Sequence, residues 1–179
     1  VKLMWADEIK KCSTREYKVQ CIMKQKTWLE DDAEVVVVGY PNLLSPMIID
    51  QLTKVRWSVT VADEINYCNN AKAKRTIAVL GKSGVLSSSN YFWGLSGTPM
   101  TNTPIDLYPI VASMGKAYFK SQANYMWFTK RYCSRFKGKF GYDVSGASNV
   151  PELKRKLFNT GFALRREKTI VLKELPDRQ

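Results

Sequence analysis

"RWSVTVADE", residues 56–64, decides the fold. A short apolar run closed by two acids reads as a buried strand that delivers Asp63 and Glu64 to one end. Downstream, "NAKAKRTIAVL" (70–80) predicts a helix stopped by Gly81. "YFWGL" (91–95) predicts the next buried strand, which runs into the small polar turn Ser96-Gly97-Thr98-Pro99. "PIDLYPIVASM" (104–114) begins a helical region. Upstream, "MWADEIKKC" (4–12) has the spacing of an amphipathic helix and "YKVQCIM" (17–23) alternates like a strand. "VVVVGY" (35–40) is a continuous β-branched run, and "LLSPMIIDQL" (43–52) a short helix. Strands alternating with helices predict an α/β fold whose parallel sheet is covered on both faces.

From Gly115 onward the character changes. "YMWFTKRYC" (125–133) and "VPELKRKLFN" (150–159) read as helices. Between them "RFKGKFGYDVSGASN" reads as a basic loop rich in Gly and aromatics, and "EKTIVLKEL" (167–175) as a last short helix. Two regions follow: 1–114, the sheet-bearing lobe, and 115–179, a basic helical extension.

The chain has 179 residues, 45% of them hydrophobic and 12% aromatic, enough for a core and against disorder over most of its length. The apolar runs are too short to cross a membrane, and no signal peptide is visible, so an intracellular, non-secreted protein is expected. Four scattered cysteines without a CxxC pair, and no histidine, argue against structural zinc and for reduced thiols. Net charge is +12 and unevenly spread. Residues 65–151 hold eleven Lys or Arg against only Asp106 and Asp143. Such a block suits a polyanion such as nucleic acid; the alternative is a solvated basic surface.

An apolar strand ending in Asp-Glu is the Walker-B pattern of nucleoside triphosphatases, in which the Asp serves magnesium and the Glu polarises the attacking water. The alternative is two solvated acids capping a strand. "LSGTP" (95–99) sets short side chains at the end of the next strand, where they can approach Asp63 and Glu64. "LGKSG" (80–84) is not a P-loop: it follows a helix rather than a strand, and Ser-rich sequence follows it.

Together these segments resemble the first motor lobe of the SWI/SNF-type DNA translocases of the superfamily-two helicases, and within them the annealing-helicase (HARP-type) branch. "MWADEIKKC" is similar to the helix after motif Ia, "VVVVGYPNLL" to the region of motif Ib, "VADEIN" to motif II, and "LSGTPMTNTPIDLYPI" to motif III and its following helix. "RYCSRFKGKFGYDVSGASNVPELKRKL" resembles the branch's insert, and "GFALRREKTIVLKELPDRQ" the segment leading out of lobe one.

The resemblance implies a partial RecA-like lobe whose P-loop strand lies upstream of this chain, with a second helicase lobe as its partner. It implies an ATP-dependent translocase on duplex or forked DNA using ATP and Mg2+, with Asp63 as the magnesium residue and Glu64 as the catalytic residue that serves the attacking water. Asn66 stands where the family usually has histidine. Asn66, Ser96, Gly97 and Thr98 are then the joint that couples motif II to motif III, small residues there allowing close approach. Lys130, Arg131, Arg135, Lys137 and Lys139 are the DNA candidates, on charge; Tyr132, Phe136 and Phe140 among them are candidates for stacking on bases. A second expectation stands beside this one: a degenerate, non-catalytic lobe that binds DNA or protein.

Overall fold

The computed structural model describes residues 2–139 and 141–166. Four strands form two parallel pairs. β1 (Val19–Ile22) lies beside β2 (Val35–Val38), with Val19 opposite Val35 and Ile22 opposite Val38. β3 (Trp57–Ala62) lies beside β4 (Ser89–Gly94), with Trp57 opposite Ser89 and Ala62 opposite Gly94. Parallel neighbours need long crossovers. That from β3 to β4 runs through a 3₁₀ turn (Ile65–Cys68), helix α3 (Lys74–Leu80) and a second 3₁₀ turn (Val85–Ser88). Helix α1 (Lys2–Cys12) precedes β1, and α2 (Pro46–Lys54) links the two pairs, with Pro46 in its first turn where a missing N–H costs nothing.

The first core gathers Ile22, Ile48, Leu52, Ala62, Ile65, Val79 and Leu80 from both pairs and the helices between them. A second core gathers Leu107, Val111, Phe119, Phe128, Tyr132 and Leu153. It is built by α4 (Tyr108–Met114), α5 (Lys116–Phe119), α6 (Tyr125–Tyr132) and α7 (Val150–Asn159). Helix α4 belongs to both: Ile110 packs in the first core and the next residue, Val111, in the second. Adjacent residues point to different sides of a helix, so one short element serves two neighbours.

The structure departs from the sequence expectations in two places. The single parallel sheet is instead two separate parallel pairs, and among the described residues the β3–β4 pair is not covered on both faces. Val59 and Val61 are 43% and 44% exposed, and their cross-strand partners Tyr91 and Trp93 are 70% and 61% exposed. The two-residue period of a strand puts these four on one open face, while Ala62 and Phe92 pack into the core. Next, the basic stretch after Ser134 is not a plain loop but an antiparallel hairpin, β5 (Phe136–Gly138) with β6 (Gly141–Asp143). The helical region expected at 104–114 is present, opening as a 3₁₀ turn, Pro104–Leu107, before α4. Its entry is a capping box in which Thr103 and Asp106 satisfy each other's backbone N–H groups. The helix expected at 167–175 lies outside the described residues.

All four cysteines are free thiols; Cys68 and Cys133 are buried, and burial pushes both up to about 11. Among the described residues no helix is long and apolar enough to cross a membrane.

Candidate functional site

The site is built where β3 ends. Leu95, just past β4, donates its N–H to Ala62 O at 2.9 Å and accepts from Ile65 N at 2.9 Å. One residue on the β4 side thus bonds to both ends of a four-residue stretch, and the two residues between, Asp63 and Glu64, are looped out. Glu64 takes the left-handed conformation (φ 49°, ψ 53°) that a side chain disfavours. Such backbone costs on the order of 1–3 kcal/mol and persists only where its surroundings hold it.

Three donors hold Asp63. Tyr40 Oη donates to its carbonyl at 2.8 Å, the Glu64 N–H to Oδ1 at 3.0 Å, and Trp5 Nε1 to Oδ2 at 3.3 Å. Tyr40 is braced edge-on against Tyr67, ring centroids 5.8 Å apart, and burial pushes its phenol well above the usual value. Its hydroxyl is therefore a lasting donor. Sequence reading missed both Trp5 and Tyr40. Trp5 sits in a helix whose pattern shows only amphipathicity, and Tyr40 follows a strand; neither spacing points across the chain to Asp63.

Asn66 and Ser96 meet between the two turns. We assign the Asn66 amide with Nδ2 toward Glu64, because the reverse orientation sets its oxygen against a carboxylate. Nδ2 then lies 2.8 Å from Glu64 Oε2, 3.2 Å from the Glu64 carbonyl and 3.0 Å from Ser96 Oγ. Ser96 Oγ also accepts from the Thr98 N–H at 3.1 Å. A connected path therefore runs from the Glu64 carboxylate through Asn66 and Ser96 to the backbone at Thr98.

Among the described residues, nothing lies within 4 Å of a Cβ placed at Gly97. The tight contact is at Gly94, where a Cβ would meet the Ile65 side chain at 3.1 Å. Thr101 and Asn102 serve a third residue that the sequence did not single out. Thr101 Oγ1 and the Asn102 and Thr103 N–H groups all donate to Asp106 Oδ2, at 2.8, 2.7 and 3.2 Å. This fastens the polar end of the motif to the turn before α4.

The basic candidates do not all stand alike. Arg131 is paired with Glu152, which also accepts from Tyr132 Oη at 3.0 Å. The Arg131 guanidinium holds the Glu152 carboxyl below the usual range. Tyr132 is fully buried, which removes it as a base-stacking group, and Phe140 lies outside the described residues. Lys130 is exposed, its Nζ 5.8 Å from the Trp127 ring centroid. The hairpin carries the others. The Arg135 guanidinium lies 3.6 Å from the Tyr142 ring centroid, and Lys137 and Lys139 are exposed beside Phe136 and Tyr142, themselves 58% and 56% exposed.

The residues fit magnesium in one specific way. Among the described residues no group of three or more His, Cys, Asp or Glu could cage a metal. Magnesium does not require such a cage: it keeps waters and binds through one or two carboxylates plus substrate phosphates. A single Asp at a strand end meets that need. Lys82 and Ser83 offer no phosphate loop, since they follow the C-terminal end of α3, where Gly81 caps the helix.

The SNF2-related domain family matches residues 3–179. The SWI/SNF-related matrix-associated actin-dependent regulator of chromatin subfamily A-like protein 1 of Xenopus tropicalis is 29% identical over the whole chain and 18% of its own length. The proteins of that name from Xenopus laevis and Bos taurus are each 31% identical over 83% of the chain and 16% of their own length. The chain thus spans less than a fifth of these relatives. Matched by one family almost from end to end, over residues 3–179, this chain belongs to the SNF2-related domain family.

Proposed function

We propose that the protein containing this chain is an ATP-dependent translocase on duplex DNA, of the annealing-helicase kind, and that this chain carries the hydrolytic half of its first motor lobe. The observation that carries the reading is the Glu64–Asn66–Ser96 path in a member of the SNF2-related domain family. The relatives' printed names place those proteins at chromatin, which fits a duplex DNA track.

In this reading Asp63 holds Mg2+, which when bound neutralises charge on the ATP phosphates. Glu64 orients the attacking water and accepts its proton at the carboxylate. The Asn66 N–H fixes the carboxylate oxygen not engaged with water. The same amide touches Ser96, so a change at Glu64 during turnover is felt at the β4 turn. Movement of that turn is passed through Asp106 and α4 toward the second core. Lys130, Arg135, Lys137 and Lys139 meet phosphates, which positions the protein without reading sequence. The second helicase lobe closes the nucleotide site.

The degenerate-lobe reading rests on asparagine replacing histidine. The Asn66 contacts in the assigned orientation favour the active reading, because the amide donates to both sides. The test is ATP turnover by the full-length protein with and without duplex DNA. The proposal expects turnover strongly stimulated by DNA. Tight DNA binding without turnover would establish the degenerate lobe instead.

A further inference from the structure

We infer that Trp5 is a positioning residue for Asp63, and that the seating of α1 on the sheet thereby sets the affinity of the site for its divalent ion. The inference rests on the assignment of magnesium to Asp63 made above. Each Asp63 oxygen has a donor from a different origin: Oδ1 from the neighbouring Glu64 N–H, the carbonyl from Tyr40, and Oδ2 from Trp5. The Glu64 contact is local and turns with the Asp63 backbone. The Tyr40 contact fixes that backbone and leaves the carboxylate free to rotate. Among the described residues, only the Trp5 N–H ties the carboxylate to a distant element. An indole N–H donates and never accepts, so its partner must be an acceptor oxygen, and a bond to a carboxylate is charge-assisted.

The attachment of α1 gives this bond its leverage. The helix has no fully buried residue, and Leu3 and Met4 are 62% and 64% exposed. Besides Trp5, it is tied down by Lys2: Nζ donates to Ile22 O at 3.0 Å, and its carbonyl accepts from Cys21 Sγ at 3.9 Å. A helix held by a few polar contacts rather than by a buried stripe shifts at small cost. Any such shift moves Trp5 Nε1, and with it the direction in which Asp63 presents its oxygens. Groups that orient a ligating carboxylate typically change metal affinity by about 10-fold or more when removed.

The test uses the full-length protein and Mn2+ in the presence of ADP, with bound Mn2+ counted by electron paramagnetic resonance. Trp5→Phe keeps an aromatic ring and loses the N–H. Replacing Trp5 with β-(3-benzothienyl)alanine keeps the bicyclic shape and also loses it. Both changes should raise the Mn2+ Kd about 10-fold, with the KM for ATP unchanged at saturating Mg2+. An unchanged Kd with the benzothienyl side chain overturns the inference, even if Trp5→Phe weakens binding through altered packing. Asp63→Asn is the control. If it abolishes Mn2+ binding while both Trp5 changes leave it intact, only the role of Trp5 fails. If Asp63→Asn leaves the affinity unchanged, the magnesium assignment itself falls, and this inference with it.

Discussion

Asn66 Nδ2 lies 3.0 Å from Ser96 Oγ, and this contact joins the turn after β3 to the turn after β4. Its partner on the other side is the Glu64 carboxylate, 2.8 Å away. If the three act as a unit, their substitutions are not additive. In the full-length protein Asn66→Ala and Ser96→Ala should each lower DNA-stimulated ATP turnover, and the double variant should be scarcely worse than Asn66→Ala alone. Residues in one network show coupling of roughly 0.5–3 kcal/mol. A double-mutant cycle on kcat reads it; simple additivity would mean that the contact transmits nothing.

Glu152 ties α7 to α6 in the second core. It lies on α7 and accepts from Tyr132 Oη and from Arg131, both on α6. Its carboxyl is held below the usual range, first by Arg131. A carboxylate with a depressed folded-state pKa adds stability above its unfolded value, near 4.3, and loses it as pH falls through the folded value. Stability should therefore decline below about pH 4, and Glu152→Gln should flatten that decline. At neutral pH Glu152→Ala should cost about 1–3 kcal/mol, because it leaves the buried Tyr132 hydroxyl without its partner. Urea unfolding across pH measures both.

The basic residues divide by their surroundings. Arg135, Lys137 and Lys139 stand on or beside the exposed β5–β6 hairpin, whereas Arg131 is engaged by Glu152. Each phosphate neutralised contributes roughly −0.9 to the slope of log affinity against log salt. The triple change of Arg135, Lys137 and Lys139 to Ala should flatten that slope by roughly 2 to 3 on any duplex sequence. Arg131→Ala should leave the slope unchanged and lower stability. Titration of fluorescent duplexes at several salt concentrations separates the two; an unaltered slope in the triple variant would remove the hairpin from the DNA track.

Much of the site was legible in the sequence because its signals are local. A strand closed by Asp63-Glu64 and a strand running into Ser96-Gly97-Thr98 are contiguous patterns, and parallel pairing sets their ends side by side. What the sequence hid depends on distant partners. Trp5 and Tyr40 reach Asp63 from 58 and 23 residues away, and periodicity carries no record of that. Gly94 rather than Gly97 marks the close approach, because a glycine in a string does not reveal what lies against it. The open face of Val59, Val61, Tyr91 and Trp93 was unforeseen for a related reason: an apolar strand states that it can be buried, not that both faces are. The hairpin at Phe136–Asp143 was hidden by glycines and lysines that read as loop.

The central claim is that Glu64, looped out at the end of β3 and held by Asn66, activates water for ATP hydrolysis. The most direct measurement is phosphate release by full-length protein carrying Glu64→Gln, at saturating ATP, Mg2+ and duplex DNA, beside nucleotide binding by the same variant. The substitution keeps the shape and the acceptor facing Asn66 but cannot take a proton. The account predicts turnover reduced at least about 100-fold, the lower range for loss of a general base, with ATP binding preserved. Turnover close to that of the unsubstituted protein would contradict it.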